Sequence, residues 1–126
     1  MKRSMIILLA TSVLIACGGG GGKEKAGEKI TVDITQNPDY QAGLALIAKS
    51  DCLTCHKVDE TVTGPPYRDV ANKYGGMPDT IISHLAGKII TGGNGVWGQV
   101  FMTPHPNLSK ADAETMVKYI LLLKNK

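Results

Sequence analysis

Residues 52–56 read Cys52-Leu53-Thr54-Cys55-His56. Two thiols three positions apart, followed at once by a histidine, form the pattern C-x-x-C-H, the attachment signature of a c-type haem. The spacing suits the chemistry. Each thiol can add to one of the two vinyl groups of a single haem, giving two thioether bonds. His56 is then held under the iron and can bind it through an imidazole nitrogen. Other uses of paired cysteines fit less well. A structural zinc site needs four nitrogen or sulfur ligands, usually from two paired clusters. Beyond this stretch only His84 and His105 remain as histidines, far apart and unpaired. A thioredoxin-like redox pair needs a βαβ context, and the flanking segments do not read as strands.

Upstream, the chain opens on the basic Met1-Lys2-Arg3-Ser4 and then an apolar stretch from Met5 to Ile15. That stretch is short for a membrane span and has the layout of a signal peptide. It ends in Leu14-Ile15-Ala16-Cys17. This resembles a bacterial lipobox, in which the cysteine is acylated and becomes the new N-terminus. The alternative is an ordinary secretory signal with an incidental cysteine. The three cysteines agree with the first reading. None is left over if Cys17 carries lipid and Cys52 and Cys55 carry haem, and both uses belong outside the cytoplasm. The expected organisation is a lipoprotein signal at residues 1–16, the lipidated Cys17 with a flexible tether to residue 30, and one domain at residues 31–126. Residues 18–29 of the tether, Gly- and Lys/Glu-rich, have no large apolar residue to bury. Residues 18–29 have a root-mean-square span of roughly 19 Å and an extended limit of about 40 Å.

Charge excludes more than it selects. The formal +3 loses Lys2 and Arg3 with the signal, leaving 12 Lys and Arg against 11 Asp and Glu. From Thr31 onward the count is 9 against 9. Two haem propionates would make the loaded domain slightly acidic. No basic stripe of the kind that binds nucleic acid is present.

Along the domain, Thr31-Val32-Asp33-Ile34 alternates and reads as a short extended lead-in. Asn37-Pro38 starts a helix, with asparagine as cap and proline at the first position. Tyr40, Leu44, Ile47 and Ala48 recur at helical spacing, carrying it to about Lys49. After the pentapeptide, residues 57–66 are a loop containing Thr63-Gly64-Pro65-Pro66. A second helix runs from Tyr67 to Lys73 and stops at Gly75-Gly76. Pro78-Asp79 opens a third, with Ile81, Ile82, Leu85, Ile89 and Ile90 as its apolar set and Gly92-Gly93 as its end. His84 lies within it and reads as a packed or exposed residue before a ligand. Residues 92–98 read as a wide glycine-rich loop beside a flat cofactor, since they neither follow a strand nor open a helix as a phosphate cradle does. Ser109, with Asp112 three positions on, caps a last helix whose apolar face is Ala113, Met116, Val117, Ile120 and Leu123.

From Asn37 onward the chain resembles the small class I c-type cytochromes of the short bacterial kind. The ordered parts carry the resemblance: a helix before Cys52-x-x-Cys55-His56, Gly64-Pro65 with Tyr67, Trp97-Gly98 leading to Met102, and a terminal helix with Tyr119. It implies an all-α fold, several short helices wrapped around one covalently bound haem c. The N- and C-terminal helices would cross where Gly43 meets Tyr119. It also implies roles. The Pro65 carbonyl would accept from the free ring N–H of His56, Trp97 would pack on the haem and bond a propionate, and Met102 would be the distal iron ligand. Where the family often has an asparagine three residues past the methionine, this chain has His105, which leaves His105 as a second candidate ligand.

With both axial positions filled, the iron passes one electron and has no site for substrate. Thioether with imidazole also raises the potential relative to two imidazoles. No Ser–His, paired-carboxylate or metal–water arrangement competes for a catalytic role. The expectation is a non-enzymatic, monomeric electron shuttle. It would be tethered to a membrane by lipid, facing the periplasm or the outer side of the cytoplasmic membrane, between respiratory partners such as an oxidase or reductase. Two rivals stay open: a ligand-binding haem protein, either gas sensor or peroxidase-like, with a displaceable distal site, and a haem-bearing subunit held in a larger complex.

Overall fold

The computed structural model describes residues 33–125. The expected signal segment, Cys17 and the tether lie outside the described residues. The lead-in differs from its expected form. Asp33 caps a single 3-10 turn, Ile34–Gln36, by accepting from the Thr35 amide at 3.0 Å. An aspartate that satisfies a free amide favours a turn over an extended strand.

Helix α1 spans Pro38–Lys49. Asn37 caps it by accepting from the Asp39 amide at 2.8 Å, and Pro38 occupies the first position, where no amide donor is needed. Its buried residues are Gly43 and Ile47, while Leu44 is 37% exposed and Ala48 is exposed. The inward face is therefore turned from the expected Tyr40, Leu44, Ile47, Ala48 set towards Gly43. The cause is steric. A Cβ on Gly43 would collide with the Cβ of Tyr119 and lie 2.6 Å from the Thr115 carbonyl oxygen. Only glycine lets the two backbones approach this closely. Tyr40 closes the crossing, its ring 5.0 Å from that of Tyr119 and edge-on to it.

Ser50 leaves helical geometry, and a 3-10 turn, Asp51–Thr54, follows at once. Helix α2, Tyr67–Tyr74, buries Tyr67 and Ala71. Arg68 on α2 pairs with the Asp59 carboxylate and donates to the Leu123 carbonyl at 2.6 Å. That guanidinium ties the loop after His56 to the end of the last helix. Helix α3, Thr80–Thr91, stops at Gly92, which adopts φ 69. The left-handed conformation favours glycine there.

The glycine-rich stretch is not a wide loop. It forms an antiparallel hairpin of β1, Gly93–Gly95, and β2, Gly98–Met102, pairing Gly93 with Met102 and Gly95 with Gly98. Met102, expected in a loop, is the last residue of β2. Glycine lacks strand propensity, so this ladder has no periodic signal. Positive φ at Gly93, Gly95 and Gly98 makes the tight irregular return possible. Helix α4, Lys110–Leu122, is capped as expected: the Ser109 hydroxyl accepts from the Asp112 amide at 3.1 Å and donates to the Asp112 carboxylate at 2.8 Å.

Helix α4 packs against α1, α2 and α3. Ile47, Tyr67, Ala71, Met116, Tyr119, Ile120 and Leu123 form one buried cluster, and Ala86, Ala113 and Val117 a second. Burial lifts the Tyr119 hydroxyl above its ordinary range, with Tyr40 adding to the shift, so the phenol stays neutral in the core.

Candidate functional site

The site is built from the Cys52–His56 turn. The amides of Cys55 and His56 both donate to the Cys52 carbonyl, at 3.2 and 3.0 Å. This curls the pentapeptide so that Cys52, half-buried, and Cys55, exposed, flank one bend. The loop that follows folds back: the amides of Thr63 and Gly64 donate to the Cys55 carbonyl at 3.3 and 2.8 Å. That return brings Pro65 to His56. His56 Nδ1 lies 2.8 Å from the Pro65 carbonyl oxygen. A carbonyl can only accept, so Nδ1 carries the proton and Nε2 keeps its lone pair free for a metal.

Two further residues seat the imidazole. Tyr67 stacks on it, centroids 5.3 Å apart and planes 15° from parallel. On Gly64 a Cβ would lie 2.8 Å from His56 Nδ1 and 2.9 Å from Nε2. The glycine is a cradle for the ring. Gly64→Ala is expected to tilt the imidazole, weaken its bond to Pro65 and destabilise the loaded protein by about 1–2 kcal/mol. A potentiometric titration and thermal melt check this; wild-type values for both would show that the cradle is dispensable.

One cleft is lined by Cys52, Cys55, His56, Pro65, Trp97 and Met102. The structure thus brings together all six domain residues singled out from the sequence; Cys17 lies outside the described residues. Trp97 stands in the turn of the β1–β2 hairpin and is 44% exposed. Its ring meets Tyr74 edge-on at 6.4 Å, and Lys73 Nζ lies 5.7 Å from its centroid. Met102 depends on the end of α3. A Cβ on Gly92 would collide with the Met102 carbonyl and come within 3.0 Å of the Pro104 nitrogen. Gly92, read from sequence only as a helix stop, is also what lets the methionine segment pass. His84 is exposed on α3 and His105 half-buried, and both also line the cleft.

The donor set fits a haem c: an imidazole with a free Nε2, a thioether, and two thiols in a cleft reached from the same turn. It fits a redox dithiol poorly. Burial, with the Asp51 charge adding, raises the Cys52 thiol above its ordinary value. Reactive thiol pairs depend on the opposite shift.

Helices packed about a cleft that joins this turn to a methionine-bearing hairpin define a c-type haem protein. A family model for cytochrome c matches residues 40–124. Cytochrome c-552 of Nitrosomonas europaea is 45% identical over 84 residues, 67% of this chain and 81% of that protein. Cytochrome c-551 of Allochromatium vinosum is 41% identical over 88 residues, 70% of this chain and 93% of that protein. The crystal structure of the Nitrosomonas europaea cytochrome c552 superposes with a TM-score of 0.60 at 44% identity, covering 64% of this chain and 99% of the other. The chain belongs to the cytochrome c family. Its fold is the all-α cytochrome c fold, here containing one small hairpin, and it carries one haem c attached through Cys52 and Cys55.

Proposed function

We propose that this protein is a single-electron carrier whose iron is held by His56 Nε2 on one face and the Met102 thioether on the other. The observation that carries the reading is the convergence of His56 and Met102 on one cleft, with His56 Nδ1 already engaged by Pro65. The bound haem supplies a one-electron ferric/ferrous couple. The rest is the work of the chain. His56 and Met102 would together hold the iron and leave no position for an exchangeable ligand. The Pro65 carbonyl fixes the imidazole's orientation and basicity. The soft sulfur of Met102 favours the ferrous state and raises the potential. Trp97 lines the cleft and would donate its indole N–H to a propionate of the bound haem. Similarity to cytochromes named c-551 and c-552 supports the same class of role. A carbon monoxide titration of the reduced protein tests it. Slow and incomplete binding at millimolar gas is expected; rapid stoichiometric binding would favour the ligand-binding alternative.

The finer reading is of a carrier held at a membrane by lipid on Cys17, outside the cytoplasm, serving a respiratory oxidase or reductase as a monomer. It rests on the basic and apolar leader, the Leu14-Ile15-Ala16-Cys17 sequence and the extracytoplasmic chemistry of haem attachment. Among the described residues no helix is long and apolar enough to cross a membrane. Several acyl chains on one cysteine anchor stably where one is marginal. Cys17→Ser is expected to remove the lipid mass and release the domain from membranes. A variant that fractionates and weighs as a lipoprotein like the wild type would refute the anchor.

A further inference from the structure

His105 occupies a junction that neither its neighbours nor its burial alone explains. Its amide donates to the carbonyls of Ile89 and Ile90, at 3.1 and 3.2 Å, which fastens it to the end of α3. Its Nε2 lies 2.9 Å from Asp51 Oδ1, a contact between residues 54 positions apart. Asp51 opens the 3-10 turn that carries Cys52. Only Thr103 and Pro104 separate Met102 from His105, and proline removes most of the freedom of that link. At its other end the segment is pinned by the pairing of Met102 with Gly93.

We propose that His105 is a positioning residue for Met102, and that with Asp51 it forms a latch between the methionine segment and the haem-attachment turn. This rests on the reading of Met102 as the distal ligand. A carboxylate only accepts, so Nε2 bears the proton and cannot itself bind iron. The same contact that holds the segment down therefore keeps Nε2 of His105 from competing with the sulfur. Nδ1 is buried and has no hydrogen-bond partner among the described residues. Side-chain exposure is 20% for His105 and 77% for Asp51, so the contact is a modest latch rather than a buried ion pair.

Three holoproteins test the proposal: wild type, Asp51→Ala and Asp51→Asn. His105→Gln serves as a second probe of the same contact. The readouts are the weak red-region sulfur-to-iron band against temperature, the rate of carbon monoxide binding, and hydrogen exchange at the His105 amide. In Asp51→Ala, carbon monoxide binding and His105 amide exchange are expected to accelerate by about three- to tenfold. The sulfur band should fade well below the temperature at which helix is lost. Asp51→Asn keeps an oxygen acceptor in place and should stay within about twofold of wild type. His105→Gln should follow Asp51→Ala in the band and in gas binding. If Asp51→Ala and His105→Gln match wild type in all three readouts, the latch does not exist. A change in helix melting alone, with band and gas binding coupled to it as in wild type, would reduce the contact to a structural one and overturn the proposal. A wild type that lacks the sulfur band would overturn the Met102 reading and this inference together.

Discussion

Met102→Ala is expected to abolish the red-region sulfur-to-iron band, lower the reduction potential and open the iron to carbon monoxide, while the haem stays covalently bound. The potential should fall by on the order of 0.1 V or more, because axial identity is among the strongest controls a protein has over haem. The attachment chemistry uses Cys52 and Cys55, which the substitution does not touch. Met116 also lines the cleft, but it is 1% exposed and fixed on α4 within the core, whereas Met102 ends a strand there, so Met116 is not expected to take its place. Met77 is 48% exposed just before α3 and is absent from the cleft lining. Absorption spectra and potentiometry of the purified variant check the prediction. Retention of both band and potential would remove Met102 from the iron. If His105→Ala opens the iron and Met102→Ala does not, the distal ligand is His105 and the wild-type potential should be low.

Gly43→Ala is expected to destabilise this domain strongly. The added carbon meets the Tyr119 Cβ and the Thr115 carbonyl, the latter at 2.6 Å. Neither is the far end of a flexible side chain, so the clash is relieved only by moving α1 away from α4. That movement loosens Ile47, Met116 and Tyr119 together, since they share one cluster. A cost of about 3 kcal/mol is expected, at the upper end for overpacking. In a domain this size that lowers Tm by roughly 12–24 °C. Thermal unfolding of the holoprotein measures it. A Tm within a few degrees of wild type would mean that the helices do not cross as closely as described.

Much of the site was legible because its signals are local. C-x-x-C-H states its own chemistry in five residues. Asn37-Pro38 and Ser109-x-x-Asp112 announce helix starts through atoms a few bonds apart, and all three were read correctly. Gly64-Pro65 was legible only through family resemblance, since nothing local says that a loop will fold back onto His56. The misses have a common physical cause. The hairpin at residues 93–102 is built on glycines, whose lack of side chains erases the alternation by which strands are recognised. Helical spacing in α1 favoured Leu44 and Ala48, but the close approach at Gly43 decided which face turned inward. Gly92 reads as a helix stop, and its second role against Met102 appears only when ten residues of hairpin return to it. The Asp51–His105 contact joins positions 54 apart with no pattern between them.

The electron-carrier reading depends on His56 and Met102 together holding the iron. X-ray absorption at the iron edge of the purified holoprotein tests it without altering a residue. In both oxidation states, one further nitrogen and one sulfur are expected beside the four porphyrin nitrogens. Two axial nitrogens, or one nitrogen with an exchangeable oxygen, would contradict it.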